Sequence, residues 1–331
     1  MQRAIIAGTG LYAPDKIVLN SFFDQKYGRD LSTFLREQRN INARHFMDAS
    51  QSTSDLIVPA AQQAMRSAGI SAKDLNLIIV CTDTPDYISP PTSAVVQFKL
   101  GAINAGVFDV NAACAGFVTG LDVARRYVEG GYQNVLVVGA YGMSKYFDWS
   151  DYKVTSVFAD GAGAVVVRAN STSDNGILDS QFYADGQYHD YMGIYAGGTA
   201  EPISPESLDH RRHLLQFVKR IPTETNGIHW PRLTNELLSR IGRRLDDVKY
   251  FFLTQLNIGS IYGAMDHLGQ PREKSHNVMD KFGYTGSACI PMAITDATQK
   301  HLLKKDDLII LIGSGGGMAM AAMALTWGYD T

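Results

Sequence analysis

Three cysteines, Cys81, Cys114 and Cys289, are the thiols of this 331-residue chain, and Cys114 has the surroundings most suited to chemistry. It lies in Phe108-Asp109-Val110-Asn111-Ala112-Ala113-Cys114-Ala115-Gly116-Phe117, where an extended apolar run gives way to small residues. Beyond it Phe117, Val118, Leu121, Ala124, Tyr127 and Val128 recur at helical spacing, which puts the cysteine at the start of a helix. Unpaired backbone N–H groups and the helix dipole there favour a thiolate, and the flanking alanines and Gly116 leave the sulfur approachable. An apolar segment also accommodates an inert core cysteine, so this stretch by itself admits both readings.

The elements that would position Cys114 read as α/β, short apolar strands alternating with helical patterns along the whole chain. The order of signals repeats. Lys73-Asp74-Leu75-Asn76-Leu77-Ile78-Ile79-Val80-Cys81-Thr82 is echoed by Asp246-Asp247-Val248-Lys249-Tyr250-Phe251-Phe252-Leu253-Thr254-Gln255, and Asn134 to Gly139 by Asp307 to Gly313. From Asp74 to Asp247 is 173 positions and from Gly139 to Gly313 is 174, a shared offset that points to duplication. The halves expected are residues 1–172, carrying the nucleophile, and 173–331, with the seam in Asn170 to Asn175. The offset maps Cys114 near Ser287, in a second small-residue turn, Phe282 to Cys289, expected to converge on the same site. Gly186 to Pro231, rich in Tyr, His and Gly, has no duplicate and is expected to be functional or mobile.

Bulk properties exclude several classes. A net charge of −3 with no sustained Lys/Arg run gives no nucleic-acid footprint. No apolar run reaches membrane-spanning length, and Met1 to Gly8 is too short for a signal peptide. Three cysteines in apolar contexts suit a reducing compartment, so a cytoplasmic location is expected. The glycines at Gly8-Thr9-Gly10 and Gly313 to Gly317 lack the spaced dinucleotide fingerprint. His210 and His213, in Asp209-His210-Arg211-Arg212-His213, read as a solvated helix face rather than metal ligands.

Several motifs in order resemble the ketosynthase III enzymes, the β-ketoacyl-acyl-carrier-protein synthase III family of the thiolase superfamily. They are Ile5 to Pro14 (opening strand), Thr84 to Ser93 (dimer-interface loop), Ala112 to Phe117 (nucleophile elbow), Phe158 to Ala164 (strand closing the first half) and Gly313 to Gly317 (last glycine-rich turn). The resemblance implies a thiolase-type duplicated α/β fold, with helices between and outside two mixed sheets, and a homodimer. It implies that Cys114 attacks an acyl thioester, with the backbone N–H groups of Cys114 and Gly316 as oxyanion hole. The substrate would be an acyl-CoA or acyl-carrier-protein thioester, with no further cofactor and no metal.

The chain departs from the family at the residues that complete this site. The family's His-Gln-Ala-Asn reads Thr254-Gln255-Leu256-Asn257, and its Gly-Asn-Thr reads Gly283-Tyr284-Thr285. A threonine hydroxyl neither carries positive charge nor serves as a base near neutral pH, whereas tyrosine donates a hydrogen bond or, if activated, relays a proton. Thr254 and Tyr284 are therefore the expected catalytic companions of Cys114, Thr254 holding a water or the donor carbonyl. Gln255 and Asn257 are expected to orient substrate, although hydrogen bonds to neighbouring backbone suit Gln255 equally. Gly259 stands where the family often has a carrier-docking arginine, and Ser89 where a bulky aromatic enters the partner's acyl pocket. The function expected is acyl transfer through Cys114 in specialised fatty-acid or polyketide-type metabolism. A conventional decarboxylating synthase and a non-catalytic partner subunit are the alternatives.

Overall fold

The computed structural model describes residues 3–170, 175–222 and 224–331. Its strands and helices are numbered along the chain. Buried aliphatic runs build two central sheets. In the first, β1 (Arg3–Tyr12), β7 (Asp160–Asn170), β6 (Asn134–Gly142), β4 (Leu77–Cys81) and β5 (Gly106–Val110) lie in that order. β4 runs parallel to β5 and β6, and β7 antiparallel to β6 and β1. In the second, β8 (Gly176–Ala184), β13 (Ala319–Thr326), β12 (Leu308–Gly315) and β11 (Val248–Leu253) follow the same plan. β11 and β12 are parallel, and β13 is antiparallel to β12 and β8. The two orders correspond strand for strand, β5 being the addition in the first sheet.

Helices fill the space between and outside the sheets. α5 (Gly116–Glu129) packs on β4, β6 and β7 on one side and on β12 and β13 on the other. α11 (Cys289–Gln299) lies beside it, against β1, β6, β7 and β11. α3 (Thr53–Ser67) and α4 (Thr92–Leu100) cover the first sheet's outer face; α8 (Thr225–Arg240), with α9 (Ile258–His267) against it, covers the second. Helices on both faces explain why β4 is buried at every position, without the alternation of a half-exposed strand. Gly120 permits this packing, because a Cβ there would sit 2.3 Å from the Cys81 sulfur. A buried ion pair, Arg125 to Asp122 at 2.8 Å, anchors α5, and Ser180 of β8 donates to Asp122 at 2.6 Å. Glu129 at 3.7 Å from Arg125 and Arg126 at 3.6 Å from Asp122 extend the pair into a small network on the helix.

Smaller elements complete the chain. β2 (Lys16–Leu19) and β3 (Ala43–Phe46) pair antiparallel beside α1 (Asn20–Tyr27) and α2 (Ser32–Arg39). β9 (Met192–Gly193), α7 (Pro205–Asp209) and β10 (Gln216–Phe217) fall in the stretch without a duplicate, and α6 (Tyr152–Thr155) and α10 (Met279–Phe282) are single turns. The first sheet takes its strands from residues 3–170 and the second from 176–326. The expected boundary after residue 172 lies outside the described residues.

Candidate active site

Cys114 sits on a tight turn between β5 and α5. Asn111 Oδ1 accepts the Ala113 N–H at 3.0 Å, and the Ala115 and Gly116 N–H groups donate back to Ala112 and Ala113 at 3.1 and 2.9 Å. Ala113 adopts the left-handed conformation at φ 46°, which costs a non-glycine residue about 1 kcal/mol and is the kind of strain sites retain. The thiol is 3% exposed and faces a cavity of about 290 Å³ that it shares with Thr254, Asn257, Tyr284 and Gly316.

The glycine turn after β12 closes against the elbow. A Cβ on Gly315 would lie 2.7 Å from the Ala112 oxygen and 2.8 Å from the Cys114 nitrogen, so only glycine lets the turn approach. Gly316 follows and lines the same cavity as Cys114, with Met192 against it. Thr254 fastens this turn: its Oγ1 accepts the Ser314 N–H at 2.8 Å, and its own N–H donates to Ile312 at 3.0 Å. The threonine is thus already engaged as an acceptor, which modifies the expectation of a free group. Its hydroxyl proton is what remains to offer a water or a carbonyl.

Tyr284 is set by Gly283 at φ 66° and by backbone bonds from its N–H to Val157 (3.0 Å) and from the Ala159 N–H to its carbonyl (2.9 Å). Its ring, 1% exposed, packs edge-on to Phe158 at 5.2 Å and tilted to Tyr141 at 6.3 Å. Burial, then the neighbouring Cys114, push its phenol well above the usual range. The tyrosine is therefore a hydrogen-bond donor; the expectation that it acts by losing its proton is not supported.

The charge state expected of Cys114 also needs correction. Burial is the largest influence and pushes the thiol up, and the negative charge of Asp83 pushes it further; a favourable interaction with Tyr284 pulls the other way. In the unliganded cavity the thiol keeps its proton, the helix start notwithstanding, because desolvation of a thiolate outweighs the dipole. Cys289 is likewise pushed up by burial, to about 12, and Cys81 is raised too.

Other expected residues separate by role. Gln255 is fully buried, with Oε1 accepting the Val278 N–H at 2.8 Å and Nε2 donating to Cys289 at 3.4 Å. Both ends of its amide serve backbone, so it ties the segment after β11 to the starts of α10 and α11 rather than holding substrate. Asn257 lines the cavity and also caps α9, accepting the Gly259 N–H at 3.0 Å. Ser89 is exposed and lies apart from its own chain's cavity. Ser287, the duplicate of the nucleophile position, does not enter the site: its hydroxyl bonds the Cys81 and Ala140 carbonyls at 2.8 and 2.9 Å, tying the second half to β4 and β6. His210 and His213 fall in a turn after α7, held by the Arg211–Asp148 (2.8 Å) and Arg212–Glu201 (2.7 Å) pairs, not on a helix face.

The stretch from Gly186 to Pro231 supplies what residue reading missed. Met192, Phe217, Lys219, Arg220 and Asn226 wall the cavity, and Arg39 of α2 joins them. Arg39, Phe217, Lys219 and Arg220 also line an adjoining groove of about 700 Å³ that holds Arg29 and Lys153 as well. The adjacent basic residues at 219 and 220 were the available signal. Burial and then the like charge of Arg220 hold the Arg39 guanidinium below its usual range, and its Nε is sealed without a partner.

Comparison with known proteins places the chain in a family and a fold. The family model for 3-oxoacyl-[acyl-carrier-protein] synthase III matches residues 108–186, and that for its C-terminal part matches residues 238–327. A β-ketoacyl-[acyl-carrier-protein] synthase III of Caldanaerobacter subterraneus subsp. tengcongensis is 37% identical over 324 residues, 97% of either chain. The crystal structure of 3-oxoacyl-[acyl-carrier-protein] synthase III from Aquifex aeolicus VF5 superposes with a TM-score of 0.88 at 28% identity, covering 99% of this chain and 100% of that one. The priming β-ketosynthase of the R1128 polyketide biosynthetic pathway gives 0.90 at 25% identity, covering 100% and 98%.

Proposed function

The chain belongs to the β-ketoacyl-[acyl-carrier-protein] synthase III family, and from that premise we propose that it is an atypical member that carries acyl groups on Cys114 without efficient decarboxylation. Ketosynthase III-type acyl transfer is the activity the family shares. The observation that carries the finer reading is the cavity wall: Thr254 and Tyr284 stand beside Cys114 where the family resemblance implies histidine and asparagine. A malonyl thioester that loses carbon dioxide leaves an enolate needing strong donors. Here the donors are two hydroxyls, that of Thr254, whose oxygen also accepts the Ser314 N–H, and that of the buried Tyr284, in place of the imidazole and amide the family resemblance implies.

Acyl transfer to the thiol needs less. The Cys114 sulfur attacks the thioester carbonyl, its proton leaves with the departing thiol, and the backbone N–H groups of Cys114 and Gly316 receive the oxyanion. A second nucleophile then takes the acyl group and releases Cys114. Tyr284, as donor, positions that acceptor. The donor would be an acyl-CoA or acyl-carrier-protein thioester, since Arg39 and Arg220 crowd positive charge at the cavity, Lys219 being paired with Asp190 at 2.6 Å, and a phosphate between the two arginines would relieve it. The two sheet-based halves, residues 1–172 and 173–331, would act as one unit.

The protein is proposed to work as a homodimer in the cytoplasm, in specialised fatty-acid or polyketide-type metabolism. β5 is a sheet edge with its residues partly exposed; Phe98 of α4, which packs on it, is 83% exposed, and Tyr87 and Ile88 in the loop before α4 are 58% and 82% exposed, apolar side chains that a second copy would cover. All three cysteines are free and buried, and no helix among the described residues is long and apolar enough to cross a membrane. Intact-protein mass measurement after incubation with acyl-CoAs tests the core of the proposal. An adduct lost in Cys114→Ala and kept in Cys81→Ala and Cys289→Ala is expected; one that survives Cys114→Ala overturns it.

A further inference from the structure

Three residues of the cavity wall form one hydrogen-bonded chain that the mechanism above does not use. β11 and β12 are parallel neighbours, so Thr254, just past β11, and Ser314, near the end of β12, meet at one end of the second sheet. The first turn of α8, which packs on β12, brings Asn226 to the same place. The Ser314 N–H donates to Thr254 Oγ1 at 2.8 Å, and the Ser314 hydroxyl donates to Asn226 Oδ1 at 3.1 Å. These two bonds fix what is left over. The Thr254 hydroxyl proton and the Asn226 NH2 group have no other partner among the described residues, and the Ser314 oxygen keeps its lone pairs. All three residues line the cavity of Cys114, so the wall offers two donors with an acceptor between them. Among the described residues that wall contains no Asp, Glu or His, and Arg39 and Arg220 stand on it.

We propose that this wall binds the hydroxyl of an alcohol, which takes the acyl group from Cys114 as an oxygen ester. This rests on Cys114 being the acyl carrier and names the second nucleophile of that reading. A hydroxyl both gives and accepts a hydrogen bond, so it fits the alternating wall: its oxygen accepts from Thr254 or Asn226, and its proton rests on Ser314 Oγ until attack. In the transfer an O–C bond forms to the acyl carbon, the C–S bond to Cys114 breaks, and the hydroxyl proton goes to the leaving sulfur. Burial makes that sulfur a strong base, so the leaving group takes the proton itself and no basic side chain is needed. Other nucleophiles fit less well. An amine arrives as an ammonium, whose proton no wall residue takes and which the arginines repel. An enolate brings no proton and would leave a bare thiolate in the cavity. Water brings a proton but no carbon chain to set against Met192, Trp230 and Met318.

Two measurements on the full-length protein test this. In the first, protein loaded by butyryl-CoA and freed of excess donor is chased with propan-1-ol, propylamine, malonyl-CoA or buffer alone, and loss of the Cys114 adduct is followed by intact mass. Propan-1-ol is expected to discharge the adduct about tenfold or more faster than the other three, releasing propyl butyrate. Ser314→Ala should lose most of that advantage. Asn226→Asp, nearly isosteric, keeps the bond from Ser314 and supplies an acid, so it should shift the preference towards propylamine. Discharge by propylamine, malonyl-CoA or buffer as fast as by propan-1-ol, or an alcohol advantage undiminished in both variants, overturns the proposal. The second measurement needs no acyl transfer. Alkylation of Cys114 by neutral iodoacetamide should be slowed by propan-1-ol and not by propylamine, and Ser314→Ala should lose the protection. Equal protection by the two, or none, overturns the alcohol site. Protection by the alcohol with no adduct from any thioester would overturn the acyl-carrier reading, and the ester transfer with it, while supporting the alcohol site.

Discussion

At the residue scale, the local sequence singled out Cys114 and the family resemblance gave it the nucleophile's role, and the structure explains what surrounds it. Tyr284 is buried and its phenol is pushed up, so it can give a hydrogen bond but not take a proton. Tyr284→Phe is therefore expected to slow transfer to the acceptor by about tenfold or more while Cys114 acylation changes by less than about threefold. Separate single-turnover measurement of the two steps checks it; equal loss in both steps would place Tyr284 in acylation instead. Asp83 gives a stability prediction with a definite sign. Its carboxyl keeps a proton up to about pH 6 when folded, against 3.8 for the ordinary value, so the folded state binds more protons between those pH values. Stability from this group falls as pH rises from about 4 to 6 and stays lower above. Asp83→Asn should raise stability at pH 8 by about 1–3 kcal/mol and have little effect at pH 3.5, read from denaturant unfolding at both pH values. Spacing could reveal neither effect: both come from burial, which depends on what the second half of the chain lays over the first.

At the scale of elements, the alternation and the 173-position offset already contained the two sheets, because strands buried on both faces leave continuous aliphatic runs that recur in each half. The offset failed where the halves differ in job. The turn it marked does reach the cavity, through Tyr284, but Ser287, the position opposite Cys114, is instead a structural tie to β4 and β6. The stretch 186–231 was legible as functional or mobile but not as a cavity wall, since irregular chain carries no periodicity and its placement depends on contacts such as the Leu215 N–H to Tyr146 bond at 2.8 Å. The glycine turn makes the sharpest prediction here. Gly315→Ala sets a Cβ against the Ala112 and Cys114 backbone, so the turn must withdraw. Acylation should fall by about 10²–10³-fold, the usual loss of an oxyanion donor, with circular dichroism unchanged. Wild-type acylation by this variant would show that the turn does not form the oxyanion hole.

At the scale of the whole molecule, an exposed sheet edge and exposed Tyr87, Ile88 and Phe98 lie on the side that the loop around Ser89 shares. If a second copy covers them, Ser89→Phe should shorten the longest acyl chain accepted, because an added ring takes the volume of several methylenes. Sedimentation gives the oligomeric state and a chain-length series gives the preference; a monomer, or an unchanged preference, contradicts the proposal. On the proposed function, Cys114 accepts acyl groups in a cavity where the hydroxyls of Thr254 and Tyr284 replace the imidazole and amide that the family resemblance implies for decarboxylation. The direct test is radiolabelled carbon dioxide release from malonyl thioester by the unmodified protein, run beside the mass measurement of Cys114 acylation on the same preparation. The expected result is an acyl adduct on Cys114 with release at or near the level of Cys114→Ala. Rapid release that depends on an acylated Cys114 would contradict the account and make this an ordinary condensing enzyme built around Thr254 and Tyr284.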